Sequence, residues 1–395
     1  MRAQLHPLQS GSEARVPTLR SEGIHAPLAF ALMQWCGERF EPKKFDLDLY
    51  AVEDETLRFL RSRQIDSLYI LAAGQVDSWQ RAYDMAWSLQ RAALIEIVGS
   101  LVQAGVRTLV FKGIELQERF LQGHSLAILG DLDILIQRSD VESAKAVLYA
   151  LGFRHAFFKD ESAGIVSRDI REVAQVELTH YELAPFVKLV PLEPEPWLIE
   201  VARGYNRNPL HLLNGQPVLV IEVDIHHNVA SDAEPEMFFD RAVSSAHGVG
   251  ETFCSADHIW LNLSRYYNEV ALHGKQSLRP LAYTVPLISD PSVDWEIVQK
   301  VATDMNLGRP LYYYLGLADR LVPGFVPAET LRTVLASDDG RLRDWGWQVG
   351  KIFDVDEPFP LHHFHNQQAM ADSLPTTFRG GKTDGPILDH SHRLR

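Results

Sequence analysis

The segment "AILGDLDILIQ", residues 127–137, decides the fold because it places two carboxylates inside an otherwise apolar run. Side chains alternate between the two faces of a strand, so an extended segment puts Asp131 and Asp133 on one face and the intervening apolar side chains on the other. Burying a carboxylate is costly unless it is paired or bound to a metal. Two interpretations follow: a turn leading into a strand, with one aspartate as a cap and one at the solvent edge, or a metal site.

The composition is that of a folded soluble protein. The chain has 395 residues, of which 46% are hydrophobic and 23% charged, and its formal net charge is −14. Nucleic-acid binding depends on neutralising phosphates with basic side chains, so this charge argues against a nucleic-acid partner. Two cysteines are too few for a disulfide framework. The sequence shows no signal peptide and no run of about 18 apolar residues, which predicts a cytoplasmic location and no membrane partner.

The spacing of apolar residues divides the chain into helical and mixed parts. Apolar residues recur every three or four positions before residue 105 and again after 255, whereas short apolar runs typical of strands occupy the middle. The predicted organisation is an N-terminal extension (1–52), a helical region (53–105), an α/β core (106–250), a C-terminal helical domain (251–355) and a polar tail expected to be flexible (356–395). This layout predicts an α+β fold in which helices flank a mixed sheet.

Within the core, five segments are predicted to be strands. They are 107–113, 131–137, 153–158, 172–183 and 217–229. The segment 184–217 holds six of the 21 prolines and is predicted to be a loop.

The last predicted strand, "PVLVIEVDIHHNV", has one face that changes from apolar to polar along its length. Glu222, Asp224 and His226 lie on that face by alternation. If this strand neighbours "DLDIL", Asp224 becomes a third carboxylate beside Asp131 and Asp133. Three carboxylates on two strands can hold Mg²⁺, which selects oxygen ligands, as two-metal phosphoryl transfer requires.

The first predicted strand ends in "FKGIEL" and leads into a short helix. Lys112 offers a positive charge for phosphates, and Gly113 allows a close approach to the amides at the start of that helix.

These motifs resemble the bacterial uncharacterised nucleotidyltransferase family, within the DNA polymerase β-like nucleotidyltransferase superfamily. The matching stretches are "LVFKGIEL", "GDLDILI", "AVLYALGF" and "EVDIHHNV". The resemblance implies a polymerase β-type core and metal-dependent transfer of a nucleoside monophosphate from an NTP, with release of pyrophosphate. It implies two Mg²⁺ ions, ATP as the expected donor, and a small-molecule or peptide acceptor, with a protein acceptor left open.

The resemblance also assigns roles by position. Asp131, Asp133 and Asp224 correspond to the catalytic metal ligands. The candidates for binding the nucleotide are Lys112, Gly113 and Gly130, and the additional site candidates are Glu222 and His226.

Two departures from the family pattern bear on activity. The wider superfamily has Gly-Ser where this chain has Lys-Gly, as the closer family does. The closer family often has an arginine four residues before the first aspartate, where this chain has Ala127, so a phosphate-binding charge is missing or comes from elsewhere, for example from Arg119. A catalytically degenerate protein that binds a nucleotide or a partner is therefore the alternative, and a metal-dependent phosphohydrolase ranks third.

Overall fold

The structure is a computed structural model that describes residues 25–37, 54–121, 123–204, 209–229 and 233–337. The predicted polar tail at 356–395 and most of the predicted N-terminal extension lie outside the described residues.

Nine strands in the described residues form one mixed sheet with the order β4-β3-β5-β7-β2-β1-β9-β8, and β6 pairs with β7 beside this path. The strands are β1 (Thr108–Phe111), β2 (Leu132–Ile136), β3 (Arg154–Asp160), β4 (Gly164–Ser167), β5 (Phe186–Pro191), β6 (Leu210–Leu213), β7 (Gln216–His226), β8 (Val243–Ser244) and β9 (Glu251–Thr252). The pairs β2–β7 and β1–β9 are parallel, and the other pairs are antiparallel.

Strand β7 is paired along both edges and contains Glu222, Asp224 and His226 near its end. One edge pairs with β5, while the other pairs with β6 near the start of β7 and with β2 near its end. Residues 219, 221, 223 and 225 face the main hydrophobic core, and Val220 packs on the opposite face in a small cluster with Ala156 and Val187. The predicted change from an apolar to a polar face along β7 is therefore confirmed.

Helices precede and follow the sheet, which confirms the α+β fold predicted from the sequence. They are α1 (His25–Gly37), α2 (Asp54–Ser62), α3 (Asp66–Ala72), α4 (Ser78–Gln103), α5 (Gly113–Phe120), α6 (Val141–Ala150), α7 (Ile170–Thr179), α8 (Pro196–Gly204), α9 (Glu236–Asp240), α10 (Ser255–His273), α11 (Arg279–Ile288), α12 (Trp295–Asp304), α13 (Gly308–Leu321) and α14 (Ala328–Ala336). Helix α1 packs on α11 and α13, and one continuous hydrophobic core joins the helices on both sides to the sheet.

Helix α4 is long and apolar enough to cross a membrane by length and composition alone. It packs against β1, β7, α6 and α8, which is the arrangement of a core helix. The Asp77 side chain caps it, accepting a hydrogen bond of 2.7 Å from the backbone N–H of Gln80.

The prediction of a strand at 172–183 is wrong, because most of this segment forms helix α7. The Asp169 carboxylate accepts a hydrogen bond of 2.7 Å from the backbone N–H of Arg171 and caps the helix. None of the residues of α7 is buried. Alternation indicates a strand only where one face is buried, so the pattern here carried no information about the strand period.

The prediction of a loop at 184–217 is also wrong, because this segment contains β5, α8 and β6. Two of its prolines lie at the ends of elements, whereas Pro194 lies in the short connection between β5 and α8. Pro196 is the first residue of α8, where a backbone N–H would have no acceptor within the helix, so proline loses no hydrogen bond there. Pro191 is the last residue of β5. The sheet itself extends to Thr252, two residues beyond the core limit predicted at residue 250.

A buried histidine beside β9 makes the stability of the fold sensitive to acid. His258 is fully buried, and its Nε2 lies 3.1 Å from Thr252 Oγ1, which itself donates to the carbonyl of Val110. Nε2 must therefore carry the proton, and among the described residues Nδ1 has no hydrogen-bond partner. Burial lowers the pKa of His258 to about 3.

Because an unfolded histidine takes up a proton near pH 6.5 and buried His258 does not, its contribution to stability falls as the pH drops below 6.5. Below pH 6.5 we expect the free energy of unfolding of the wild type to fall about 1.4 kcal/mol per pH unit more steeply than that of His258→Gln, which can still donate to Thr252. Urea unfolding of both proteins at pH 7.5 and pH 5.5 measures the difference. Equal pH dependence in the two proteins would contradict the prediction.

Candidate functional site

A buried loop holds the start of β2 in place. The sequence predicts a strand from residue 131, but β2 begins at Leu132. The buried residues 125–129 form a loop whose carbonyls all accept side-chain hydrogen bonds. The donors are Gln80 to Ser125 (3.2 Å), Ser67 to Leu126 (2.9 Å), Ser125 to Ala127 (3.1 Å), Arg279 to Ile128 (3.2 Å) and Gln90 to Leu129 (2.8 Å). Because α3, α4 and α11 supply most of these donors, the loop is fixed from several sides.

The register of three strands brings the polar side chains together at the end of β7. Asp133 of β2 lies directly opposite Asp224 of β7 and opposite Phe111 of β1. His226 follows Asp224 by two residues and lies on the same face. One ligand atom from each of Asp133, Asp224 and His226 lies within 4.8 Å of the other two, and all three residues are buried. We call this group the Asp133–Asp224–His226 cluster.

Asp133 is the most heavily bonded member of the cluster. Its Oδ1 accepts a hydrogen bond from Lys112 Nζ and lies 2.9 Å from His226 Nε2, while His226 Nδ1 lies 3.6 Å from Glu182 Oε2. Burial raises the pKa of the Asp133 carboxyl, but Lys112, His226 and Arg265 together hold it well below its usual range. The carboxylate is therefore ionised at neutral pH, as a metal ligand must be.

The junction between β1 and α5 presents Lys112 to the cluster in an unusual backbone conformation. Lys112 has φ 61° and ψ −142°, in the region that favours glycine, and it precedes the first residue of α5. Gly113 is tightly packed: a Cβ at this position would lie 3.1 Å from Leu129 Cδ2 and 3.5 Å from Tyr283 Cε2. A larger residue at 113 would therefore require the Leu129 side chain to shift by a few tenths of an ångström.

Three predicted site residues lie outside the cluster of ligand atoms. Asp131 is half-buried and lies just before β2, Gly130 precedes it beside open space, and Glu222 is half-buried on the same face of β7 as Asp224. The cluster found among the described residues contains none of them.

Residues 62–323 match the family described as uncharacterised nucleotidyltransferases. The chain belongs to this family. The match covers the sheet, the cluster and the helices α3 to α13. The chain matches no curated protein and no solved structure.

The donor set of this nucleotidyltransferase fits a divalent cation. Asp133 and Asp224 offer carboxylate oxygens, which are the ligands that Mg²⁺ prefers. The Nε2 of His226 is already bonded to Asp133, so its contact resembles the hydrogen bonds that orient metal-binding carboxylates in other sites. Asp133 and Asp224 are thus the residues that would hold the ion.

Sequence reasoning missed three charged residues close to the cluster. Glu182 lies beside His226, whereas Arg265 and Glu269 of α10 lie near enough to affect the charges of the site. Arg265 and Glu269 are four residues apart on α10, so they share one helical face. That pair of charges on a buried helix was the available signal.

The structure gives Arg119 a different role from the one considered for it. Its Nη2 donates to Asp290 Oδ2 at 2.8 Å and to Ser255 Oγ at 2.9 Å, which ties α5 to the C-terminal helices. Ala127 is buried and offers no charge. Neither residue therefore offers the free charge that the family pattern places before the first aspartate.

Proposed function

We propose that this protein transfers a nucleoside monophosphate from an NTP to an acceptor hydroxyl or amine and releases pyrophosphate. The single observation that carries the proposal is the buried Asp133–Asp224–His226 cluster, formed by adjacent strands of a nucleotidyltransferase-family fold. Clustered buried carboxylates repel one another and lose hydration, so a cluster of this kind is best explained by a bound cation.

Each residue of the site has a defined task in this proposal. Bound Mg²⁺ would supply positive charge to the phosphates and lower the pKa of the acceptor group. Asp133 and Asp224 hold that ion, and Asp224 is also the candidate base for the acceptor proton. His226 orients the Asp133 carboxylate by its hydrogen bond. Asp131, at the half-buried edge of the site, is the proposed additional ligand for a second ion.

The nucleotide is proposed to bind between β1, α5 and the loop that precedes β2. Lys112 would exchange its bond with Asp133 for one with a phosphate oxygen. Gly130 borders open space through which the phosphates could approach the backbone, and Gly113 would offer its amide at the start of α5. ATP is the expected donor. The strongly acidic chain supports a small-molecule or peptide acceptor in the cytoplasm, or a protein side chain, over a nucleic acid.

An assay of pyrophosphate release tests the proposal. The purified protein is incubated with Mg²⁺, each of the four NTPs, and pools of small-molecule and peptide acceptors, and NTP binding is measured in parallel by calorimetry. We expect pyrophosphate release that requires both Mg²⁺ and an acceptor pool. Tight NTP binding with no release across all pools would contradict transfer and would favour the catalytically degenerate binding protein instead.

A further inference from the structure

Arg265 of α10 is a partly buried cation on the C-terminal helical side of the site. Its Nη1 is buried and, among the described residues, has no hydrogen-bond partner. The carboxylates of Asp133, Glu182 and Glu269 lie close enough to stabilise its charge. Arg265 therefore has compensating charge around it but a guanidinium N–H without an acceptor.

A buried guanidinium N–H without an acceptor costs free energy, and this cost is largest for charged groups. The two neighbouring lysines differ from Arg265 in this respect. Lys112 Nζ donates to Asp133, and Lys275 Nζ donates to Glu269. The acceptor that Arg265 lacks is thus the feature that a ligand would supply.

We propose that Arg265 binds the phosphate tail of the nucleotide, opposite the Asp133–Asp224–His226 cluster. This inference rests on the proposed function, because it assumes that an NTP occupies the site. The planar guanidinium presents N–H groups in a fork that matches phosphate oxygens. In this arrangement Arg265 of α10 supplies the positive charge near the phosphates. Ala127 carries no charge, and the charge of Arg119 is paired with Asp290.

Glu269 would act as the positioning residue for this arginine. It lies one helical turn after Arg265. Burial raises the pKa of its carboxyl, but Lys275, Arg265 and Lys112 together hold that pKa below its usual value. The ionised carboxylate therefore attracts the guanidinium while its Oε2 accepts a hydrogen bond from Lys275.

The test measures binding by calorimetry in the wild type, Arg265→Gln and Arg265→Lys, with Mg²⁺ present. The probes are a non-hydrolysable ATP analogue, inorganic tripolyphosphate and AMP. Losing a charge-assisted hydrogen bond predicts about 10- to 100-fold weaker binding of the ATP analogue by Arg265→Gln. Tripolyphosphate binding should weaken to a similar degree and AMP binding by less than about 3-fold. Arg265→Lys keeps the charge without the forked N–H groups, so its affinity for the ATP analogue should lie between that of the wild type and that of Arg265→Gln.

Arg332→Gln is the matched control, because Arg332 pairs with Glu329 on the exposed surface of α14. Circular dichroism and thermal unfolding establish that each variant is folded, and Arg265→Lys provides the answer if Arg265→Gln does not fold. If a folded Arg265 variant binds the ATP analogue and tripolyphosphate with wild-type affinity, the inference is overturned and the proposed function stays intact. A wild-type protein that binds none of the probes would overturn the proposed function and this inference with it.

Discussion

Replacing Asp133 by Asn is expected to lower Mg²⁺-dependent pyrophosphate release by about 1,000-fold. Asp133 accepts hydrogen bonds from both Lys112 and His226 and faces Asp224 across the β2–β7 pair. Asparagine keeps the size and one acceptor oxygen but loses the negative charge that holds a cation. The fold should therefore survive while the affinity for the metal and the rate both fall. Steady-state pyrophosphate release and Mg²⁺ titration measure the two effects.

Asp304→Asn is the matched control for this substitution. Asp304 forms an exposed pair with Lys300 on α12, so its loss should leave the rate unchanged and alter the free energy of unfolding by less than about 1 kcal/mol. The same large loss of rate is expected for Asp131→Asn and Asp224→Asn. Full turnover by the double variant Asp131→Asn/Asp133→Asn would show that the carboxylates have been assigned the wrong role.

The faces of β2 and β7 could be predicted because each depends on a local pattern. Alternation alone placed Asp224 and His226 on one face, and the structure brings both to Asp133. Asp131 lies one residue before β2, outside the cluster, and the loop that precedes it is shaped by hydrogen bonds from distant helices. Long-range bonds of this kind leave no periodic signal in the sequence.

The segment between β4 and β7 shows the same limit. A proline-rich composition predicted a loop there, although proline also starts helices and ends strands, and composition cannot separate these uses. Strand β5 is short and pairs with residues about 30 positions later in the chain. Its existence therefore depends on the tertiary pairing with β7 more than on its own residues.

The sequence could not predict that residues of α10 lie near the Asp133–Asp224–His226 cluster. Arg265 and Asp133 are separated by 132 positions, and only the packing of α10 brings them together. What the sequence does contain is a charged pair one turn apart on a predicted helix. Such a pair indicates a polar environment without identifying which residues form it.

Replacing Lys112 separates two roles of this residue, its charge and its backbone conformation. Lys112→Ala removes the ammonium but keeps the strain of a Cβ at φ 61°, whereas Lys112→Gly removes both. If Lys112 binds phosphate, both variants should lose about 10²- to 10³-fold in kcat/KM for the NTP. Lys112→Gly should also be more stable than Lys112→Ala by about 1 kcal/mol, because glycine adopts this conformation without strain.

The competing possibility is that the Lys112 ammonium only neutralises Asp133 at the position where a metal ion would bind. In that case both variants would bind Mg²⁺ more tightly and keep their activity, since the cation that competes for Asp133 would be gone. Lys300→Ala, which removes an exposed lysine from α12, is the control for loss of charge alone. Parallel measurement of Mg²⁺ affinity, kcat/KM and urea unfolding distinguishes a phosphate-binding lysine from a placeholder, because the first role predicts a large loss of kcat/KM and the second predicts unchanged kcat/KM with tighter Mg²⁺ binding.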